Sequence, residues 1–366
     1  MDKRGQRVAV ASTGRTDAEV AFLRRVLIVA GVVVLALLLW QVREALLLAF
    51  AGVVVAVLLL AAASPLERHA GLSRSFSLTL VGLLLAAGLG LVFMLVGGEI
   101  TAQIGQLWSA LPEAVRALEN RFQVELPQIG QGEGSEGGGL DASLLRSLVG
   151  QAAAMGSMVI SALTALVVAV VGGFFLAISP KMYRDGLAML VPVEQQARVE
   201  DAMLASGAAL RLWLGAQLIS MGIVGTLAGL GTWLIGLPSP LALGLFAALV
   251  GFVPLLGAVA GAVPPLLLAL AAGGDTLLWT AVLFIAIQQL ESNMILPLVE
   301  KHMVSMPPAL MLFAVVAVGL VFGLPGVVLA APITVVAYVL VKQLYVRETL
   351  GQDTVVPGEE EAGVAP

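Results

Sequence analysis

Hydrophobic residues in this chain gather in long, nearly uncharged runs rather than along single helical faces, and charged residues fall almost entirely in the links between runs. Val26–Trp40 and Ala45–Ala63 are the first two runs; with only Gln41-Val-Arg-Glu44 between them they predict a helical hairpin. About 20 residues are needed to cross a bilayer, so the first helix must borrow from its flanks. Phe76–Val96 and Ala152–Ser179 follow, the latter with Gly172-Gly173 near its middle as a packing or bending point. Between them lies one polar insert, 97–151, acidic in balance and beginning with the amphipathic spacing Ile100, Ile104, Leu107, Leu111. Its centre, Gln131 to Gly139, has the Gly-rich composition of a flexible linker. Residues 180–211 mix Lys181, Arg184 and Arg198 with Asp185, Glu194, Glu200 and Asp201. That mixture predicts either an amphipathic helix lying at a membrane surface or an ordinary soluble helical connection.

The second half repeats one grammar. Leu212–Gly236 is a full-length apolar helix with Gly225 and Gly229 at a close-packing spacing. After Leu237-Pro-Ser-Pro240 comes Leu241–Ala272, apolar but interrupted at Pro254-Leu-Leu-Gly257 and again at Gly261 and Pro264-Pro265. After Gly273-Gly-Asp275 the order recurs: a helix from Thr276 to about Asn293, a link carrying Pro297 and Pro307-Pro308, and an apolar stretch, Ala309–Val341, interrupted at Gly323-Leu-Pro325-Gly326 and at Pro332. Each broken stretch has arms too short to cross comfortably alone, and freed backbone is tolerated at membrane depth only where protein or water covers it. Each is therefore a tight pair of short helices or a re-entrant hairpin. If Leu212–Gly236 runs outward, the first broken stretch begins and ends outside and the second begins and ends inside. The two units are thus expected to be inverted copies.

Composition fixes the class. The chain is 59% hydrophobic and 12% charged over 366 residues, with a mean hydropathy of +1.01, values outside the soluble globular range. An all-α polytopic membrane protein is expected. The absence of cysteine excludes disulfides, thiolate metal sites and thiol nucleophiles. Both histidines, His69 and His302, lie between apolar runs, and no HExxH, phosphate-binding loop or Gly-x-Ser-x-Gly elbow is present. Neither an enzyme, nor a cofactor, nor a metal site is expected, and a net charge of -5 argues against nucleic acid as a partner. The leader 1–25 carries Lys3, Arg4, Arg7, Arg15, Arg24 and Arg25, which puts the N-terminus in the cytoplasm. Expected divisions are this leader, N-terminal spans over 26–96, the extracytoplasmic insert 97–151, a span and cytoplasmic segment over 152–211, a core over 212–343 and a disordered cytoplasmic tail over 344–366.

One polar cluster interrupts the pattern. Between two apolar runs stand Gln288, Gln289, Glu291, Ser292 and Asn293. On a helix Gln288 and Glu291 share a face, as do Gln289 and Asn293. A carboxylate at bilayer depth costs roughly 3 kcal/mol or more, so Glu291 should face protein, a wet cavity or the membrane edge. One reading is a plain helix end at the interface, with Glu300, Lys301 and His302 close behind; the other is a cluster lining a permeation route.

The ordered set Gly236-Leu-Pro-Ser-Pro240, Phe252-Val-Pro-Leu-Leu-Gly257, Gln288-Gln-Leu-Glu-Ser-Asn293 with Pro297, Pro308, and Phe322-Gly-Leu-Pro-Gly326 through Pro332 resembles the autoinducer-2 exporter family, also called PerM-like permeases. The resemblance covers roughly Arg25 to Tyr345. It implies a multi-pass permease of the bacterial cytoplasmic membrane with about eight transmembrane helices, members being associated with autoinducer-2 export and some with sodium/proton exchange. By position it puts the family's polar motif on Gln288, Glu291, Asn293 and Pro297, and its hairpin motifs on Pro254, Gly257, Gly323, Gly326 and Pro332; Gly-Ala-Gln217 also fits. Val253 and Ala258 depart from the usual isoleucine and proline.

The expected function is a secondary transporter of a small polar solute such as autoinducer-2, with protons or sodium as candidate coupling ions. The pathway is expected at Gln217, Gln288, Gln289, Glu291 and Asn293, with hinges at Pro254, Gly257, Gly261, Pro264, Pro297, Gly323, Pro325, Gly326 and Pro332. Lipid and a second copy of the chain are the other expected partners. The competing expectations are an oligomeric channel or membrane scaffold, and a sodium/proton antiporter.

Overall fold

The computed structural model describes residues 5–88, 90, 164–254, 256–295 and 307–352, and every regular element among them is helical. The insert 97–151, Pro297 and residues beyond 352 lie outside the described residues. The chain divides into two units, Met1–Ala49 and Phe50–Pro366.

In the first unit, helix α1 (Gly5–Gln41) ends one residue before α2 (Arg43–Ala70) begins. Val42 N donates to Leu38 O at 3.1 Å and Leu46 N donates to Val42 O at 3.0 Å, so the last turn of α1 and the first turn of α2 both close on the single linking residue. The Arg43 guanidinium lies 4.2 Å from the Trp40 ring centre, a cation–π pair of the kind found at membrane interfaces. Phe22–Gln41 is apolar and wholly exposed, as suits a lipid-facing helix.

The second unit contains the rest of α2, then α3 (Arg74–Gly88), α4 (Thr164–Ile178), α5 (Pro180–Ala188), α6 (Val193–Ile235), α7 (Pro240–Val250), α8 (Leu256–Ala272), α9 (Thr276–Leu290) and α10 (Pro308–Leu340). Among the described residues, four helices are long and apolar enough to cross a membrane, or five if the bent pair α4–α5 is one span. α3 and α4 run into undescribed segments, and α7, α8 and α9 are short.

α6 is the frame. At about 1.5 Å per residue its 43 residues reach roughly twice the thickness of a hydrocarbon core. The segment 180–211, expected as one piece, is split at Met189–Pro192, and its second part runs without a break into the apolar helix, since no terminator lies between Pro192 and Gly236. Gly236 then ends α6 in the left-handed conformation (φ 84°), with Leu237 N donating to Thr232 O at 3.0 Å.

α7 returns along α6 at glycine distance. A methyl group at Gly244 would lie 2.5 Å from Gly225 O and 2.8 Å from Gly229 Cα, so the Gly225/Gly229 face is occupied by α7. α2 and α4 meet in the same way, a methyl at Gly173 falling 2.7 Å from Gly52 O. Ala56, Leu59 and Ala63 of α2 pack there with Leu78 of α3 and Ala177 of α4.

Both broken stretches fold back on themselves. In the first, the helix stops between Val250 and Leu256; a methyl at Gly257 would meet Val250 O, and one at Gly261 would touch Ala247 Cα at 3.4 Å. The second has a single non-helical residue, Gly323 (φ 66°, ψ -149°). Residues eight apart on a straight helix are about 12 Å apart, yet a methyl at Gly326 would lie 2.5 Å from Val318 O and one at Gly319 2.7 Å from Val327 Cγ2. α10 is therefore two antiparallel arms. The further interruptions expected at Gly261, Pro264-Pro265 and Pro332 are corrected: α8 and the second arm of α10 continue through them, with Pro265 and Pro332 fully buried. Pro325, in the first turn after the bend, needs no amide donor there.

The hairpins reach α6 from different ends. The first leaves from the Gly236 end. The second packs Ala331, Val335 and Val339 with Ala209, Leu210, Trp213 and Leu214, and Glu348 beyond it pairs with Arg198 at 3.2 Å. The boundary expected at 343 falls inside a π-helical turn, Val341–Arg347, that leads to this pair.

Candidate functional site

The polar cluster lies where α9 stops being α-helical. The α-helix ends at Leu290, and Glu291–Ile295 form a π-helical turn, shorter by three residues than the helix expected to Asn293. Such turns widen a helix locally and are frequent at functional sites. Antiparallel packing sets the level of the turn along α6: a methyl at Gly231 would meet the Leu283 side chain, Ile287 packs with Val224 and Ala228, and Ser220 Oγ donates to Glu291 Oε1 at 3.3 Å.

Depth follows from the belts at either end. Trp233 and Trp279, on α6 and α9, are both exposed at the same level, as aromatic residues are at an interface. Arg211, about 33 Å further along α6, donates to Ser64 Oγ at 2.8 Å, in a layer where Arg74 donates to Ala177 O at 3.3 Å. That separation matches a hydrocarbon core of about 30 Å. Ser220 is about 20 Å from the tryptophan belt, so the half-buried Glu291 stands inside the apolar zone rather than at its edge.

The first hairpin's bend supplies the opposite wall. Gln217, one turn before Ser220 on α6, donates from Nε2 to Gly251 O at 2.6 Å. Gly251 follows the last residue of α7, at the break, and the side chain supplies its carbonyl with a donor from a neighbouring helix. Next along the chain, Phe252 meets the buried Trp213 edge to face, 5.8 Å between centroids. Trp213 belongs to the cluster that holds the second hairpin, so the bend of the first and the base of the second share one apolar contact. Ala331 lies in that cluster, and Gly323 is about 12 Å further along the arm, near the level of Ser220.

Between these walls is a cavity of about 20 Å³ lined by Gly251, Gly257, Ala258, Gly261, Gln288 and Glu291, with Val224, Ala247, Phe284 and Ile287 behind. It has room for water but not for a solute of several heavy atoms. Gln288 joins Glu291 at this cavity while donating to Ser292 Oγ at 3.3 Å. Gln289 and Asn293 form a separate exposed pair: Asn293 Nδ2 donates to Gln289 O at 2.9 Å and to Oε1 at 2.8 Å. Of the expected hinges, Gly257 and Gly261 line the cavity, Pro254 is in the bend above it, and Pro264 is further along α8. Gly323, Pro325, Gly326 and Pro332 belong to the other hairpin. Ser220 was not among the expected residues; its only signal is a hydroxyl three positions after Gln217, and serines of that kind are common in apolar helices. Among the described residues no group of acidic and histidine side chains could hold a metal ion.

The family profile described as "AI-2E family transporter" matches residues 28–346. The chain belongs to the AI-2E transporter family. Two Bacillus subtilis relatives carry the name "Putative transport protein": YrrI, 33% identical over 35% of this chain and 36% of its own length, and YueF, 24% identical over 75% of this chain and 76% of its own. A Mycobacterium tuberculosis protein of the same description is 28% identical over 72% of this chain and 73% of its own. The AI-2E chain is thus a membrane protein of a transporter family, which is not an enzyme class.

Proposed function

We propose that this chain is a secondary transporter whose solute passes between α9, the middle of α6 and the bend of the first hairpin, with Glu291, Gln288 and Ser220 as the polar contacts. The observation that carries the reading is a carboxylate held by Ser220 about 20 Å below the tryptophan belt, opening on a cavity whose far wall is interrupted backbone. Burying that group in lipid would be costly, and among the described residues it gains one hydrogen bond, from Ser220. A site that receives water or a polar solute accounts for both facts. The described state is closed, because the cavity is too small for a metabolite; transport requires the first hairpin to move away from α9.

The inverted arrangement expected from the sequence has support in the hairpins' approach to one level of α6 from its two ends, the plan of carriers built on discontinuous helices. On this reading both hairpins are re-entrant, the Arg211 end is cytoplasmic, the membrane is the bacterial inner membrane, and the solute is a small polar metabolite such as autoinducer-2, driven by protons or sodium. No nucleotide motif is present, so an ion gradient or the solute's own gradient supplies the driving force.

The test is purified protein in liposomes with a panel of small polar metabolites, autoinducer-2 included, under imposed proton or sodium gradients. Saturable uptake with counterflow is expected, and Glu291→Gln should abolish gradient-driven uptake while leaving exchange measurable. Flux that rises without saturation and lacks counterflow would make the chain a channel; sodium/proton exchange with no solute would make it an antiporter. Unchanged driven uptake in Glu291→Gln would remove that residue from the mechanism.

A further inference from the structure

Charge along the core of the second unit has one sign. From Leu212 to Val341 the charged side chains among the described residues are Asp275 and Glu291, and both are acids. Asp275 is the N-cap of α9, one turn before the exposed Trp279, and Glu291 stands about 24 Å further along the same helix. The nearest cation along α6, Arg211, is about 14 Å from Ser220 and is turned to Ser64 Oγ. Among the described residues no basic side chain pairs with Glu291; the ion pairs are Arg184–Asp185 and Arg198–Glu348.

The hydrogen-bonding groups around the cavity lean the same way. Their donors are already engaged: Ser220 Oγ with Glu291 Oε1 at 3.3 Å, Gln217 Nε2 with Gly251 O at 2.6 Å and Gln288 Nε2 with Ser292 Oγ at 3.3 Å. An anion at a helix N-terminus needs free amides, and α8 begins at this bend. Its first two amides are closed by the bend itself, Leu256 N donating to Pro254 O and Gly257 N to Val253 O, each at 2.8 Å. What remains toward the cavity is acceptor oxygen, on Glu291 and on the Gln288 amide. α7 adds the electronegative end of its dipole, which falls at Gly251.

Resting on the transport reading above, we propose that this site selects its solute by charge: it takes a small cation or a neutral solute rich in hydroxyl or amino donors, and it excludes anions such as carboxylates and phosphates. Glu291 sets the sign. A lone charge in a cleft with apolar walls focuses its field through the opening and raises the local concentration of opposite charge about 10- to 1,000-fold. An anion entering the same cleft would lose its hydration beside a like charge, with no free donor to replace the water.

The chain has no cysteine, so one thiol placed in the cavity wall by Ala258→Cys reports the field directly. The full chain, purified in a nonionic detergent, is labelled with two methanethiosulfonate reagents of similar size, one ending in trimethylammonium and the other in sulfonate. The ratio of cationic to anionic rate is divided by the same ratio for free β-mercaptoethanol in the same buffer. The thiol's own ionisation scales both rates alike and cancels. The normalised ratio should be about tenfold or more in Ala258→Cys, and it should fall to near unity when Glu291→Gln is added. A ratio near or below unity in Ala258→Cys alone, or a preference that Glu291→Gln leaves unchanged, would overturn the proposal and leave the transport reading standing. Labelling by neither reagent would show a cavity that never opens to water, and would overturn the transport reading together with this one. If Glu291→Gln does not assemble, Glu291→Asn supplies the comparison.

Discussion

Replacing Gln217 with methionine tests whether α6 supplies what the first hairpin lacks. The amide donates to Gly251 O at 2.6 Å, and no backbone donor to that carbonyl is found among the described residues. Methionine keeps the length and bulk of the side chain and donates nothing. A buried acceptor left without its donor costs about 1–3 kcal/mol, and only the docked hairpin bears that cost, because an opened bend meets water. The detached population should therefore rise about 5- to 150-fold. Ala258 lines the cavity and becomes accessible when the bend moves off α6. In the cysteine-free chain, Ala258→Cys therefore labels with a water-soluble thiol reagent at a rate proportional to that population, so long as reclosing outpaces labelling. We expect Gln217→Met to raise the rate by at least fivefold. Gln289→Met should leave it unchanged, because Gln289 is bonded to Asn293 on its own turn. Equal rates in the parent and Gln217→Met would refute the assignment of Gln217 as the residue that holds the bend closed.

Gly257→Ala and Gly326→Ala should each lower the melting temperature of the purified protein, since the added methyl meets backbone carbonyls, Val250 O and Val318 O, that cannot move without opening the bend; Gly172→Ala, with open space around it, is the control expected to melt as the parent does. Trp213→Ala removes a buried aromatic from the contact between the two hairpins and should cost about 3–5 kcal/mol, visible as a lower melting temperature together with faster labelling of Ala258→Cys. Exchanging the charges of Arg198 and Glu348 should change stability by less than about 1 kcal/mol, because the pair is largely solvated.

Much of the fold could be read from where polar residues stop the apolar runs, and the misplaced breaks share one cause. Gly and Pro mark breaks only when backbone geometry demands it. Gly323 is a break because its φ of 66° is one other residues resist, whereas Gly261 is small so that α8 can lie on Ala247, and Pro264 and Pro332 sit inside continuous helices. Sequence shows the residue but not which of these uses applies. The helical spacing of the polar cluster gave the Gln289–Asn293 pair correctly. It could not show that Gln288 would bond Ser292 while Glu291 bonded Ser220 on another helix, nor that α9 would change to a π-helical turn at Glu291. The continuity of α6 was legible, since nothing between Val193 and Ile235 stops a helix; a division drawn by charge at 211 hid it.

One helix is in contact with every part that must move. Trp213, Gln217 and Ser220 are spaced by about one turn on α6 and touch, in order, the second hairpin's cluster, the first hairpin's bend and Glu291. These contacts differ in kind. The contact through Trp213 is apolar and survives small sliding motions, whereas the bonds from Gln217 and Ser220 are short-range and are lost within about an ångström. A displacement of the first hairpin along α6 would therefore release Gly251 and expose Glu291 before it separated Phe252 from Trp213. Opening toward the tryptophan belt then precedes opening toward Arg211, and one packed ring stays between the cavity and the basic end while the other side fills. A carrier needs that ordering, because the two sides must never open together. Removing the ring by Phe252→Ala should thus convert gradient-driven, saturable uptake into leak while leaving the Gln217–Gly251 bond intact, and tight vesicles with this variant would show that the barrier lies elsewhere.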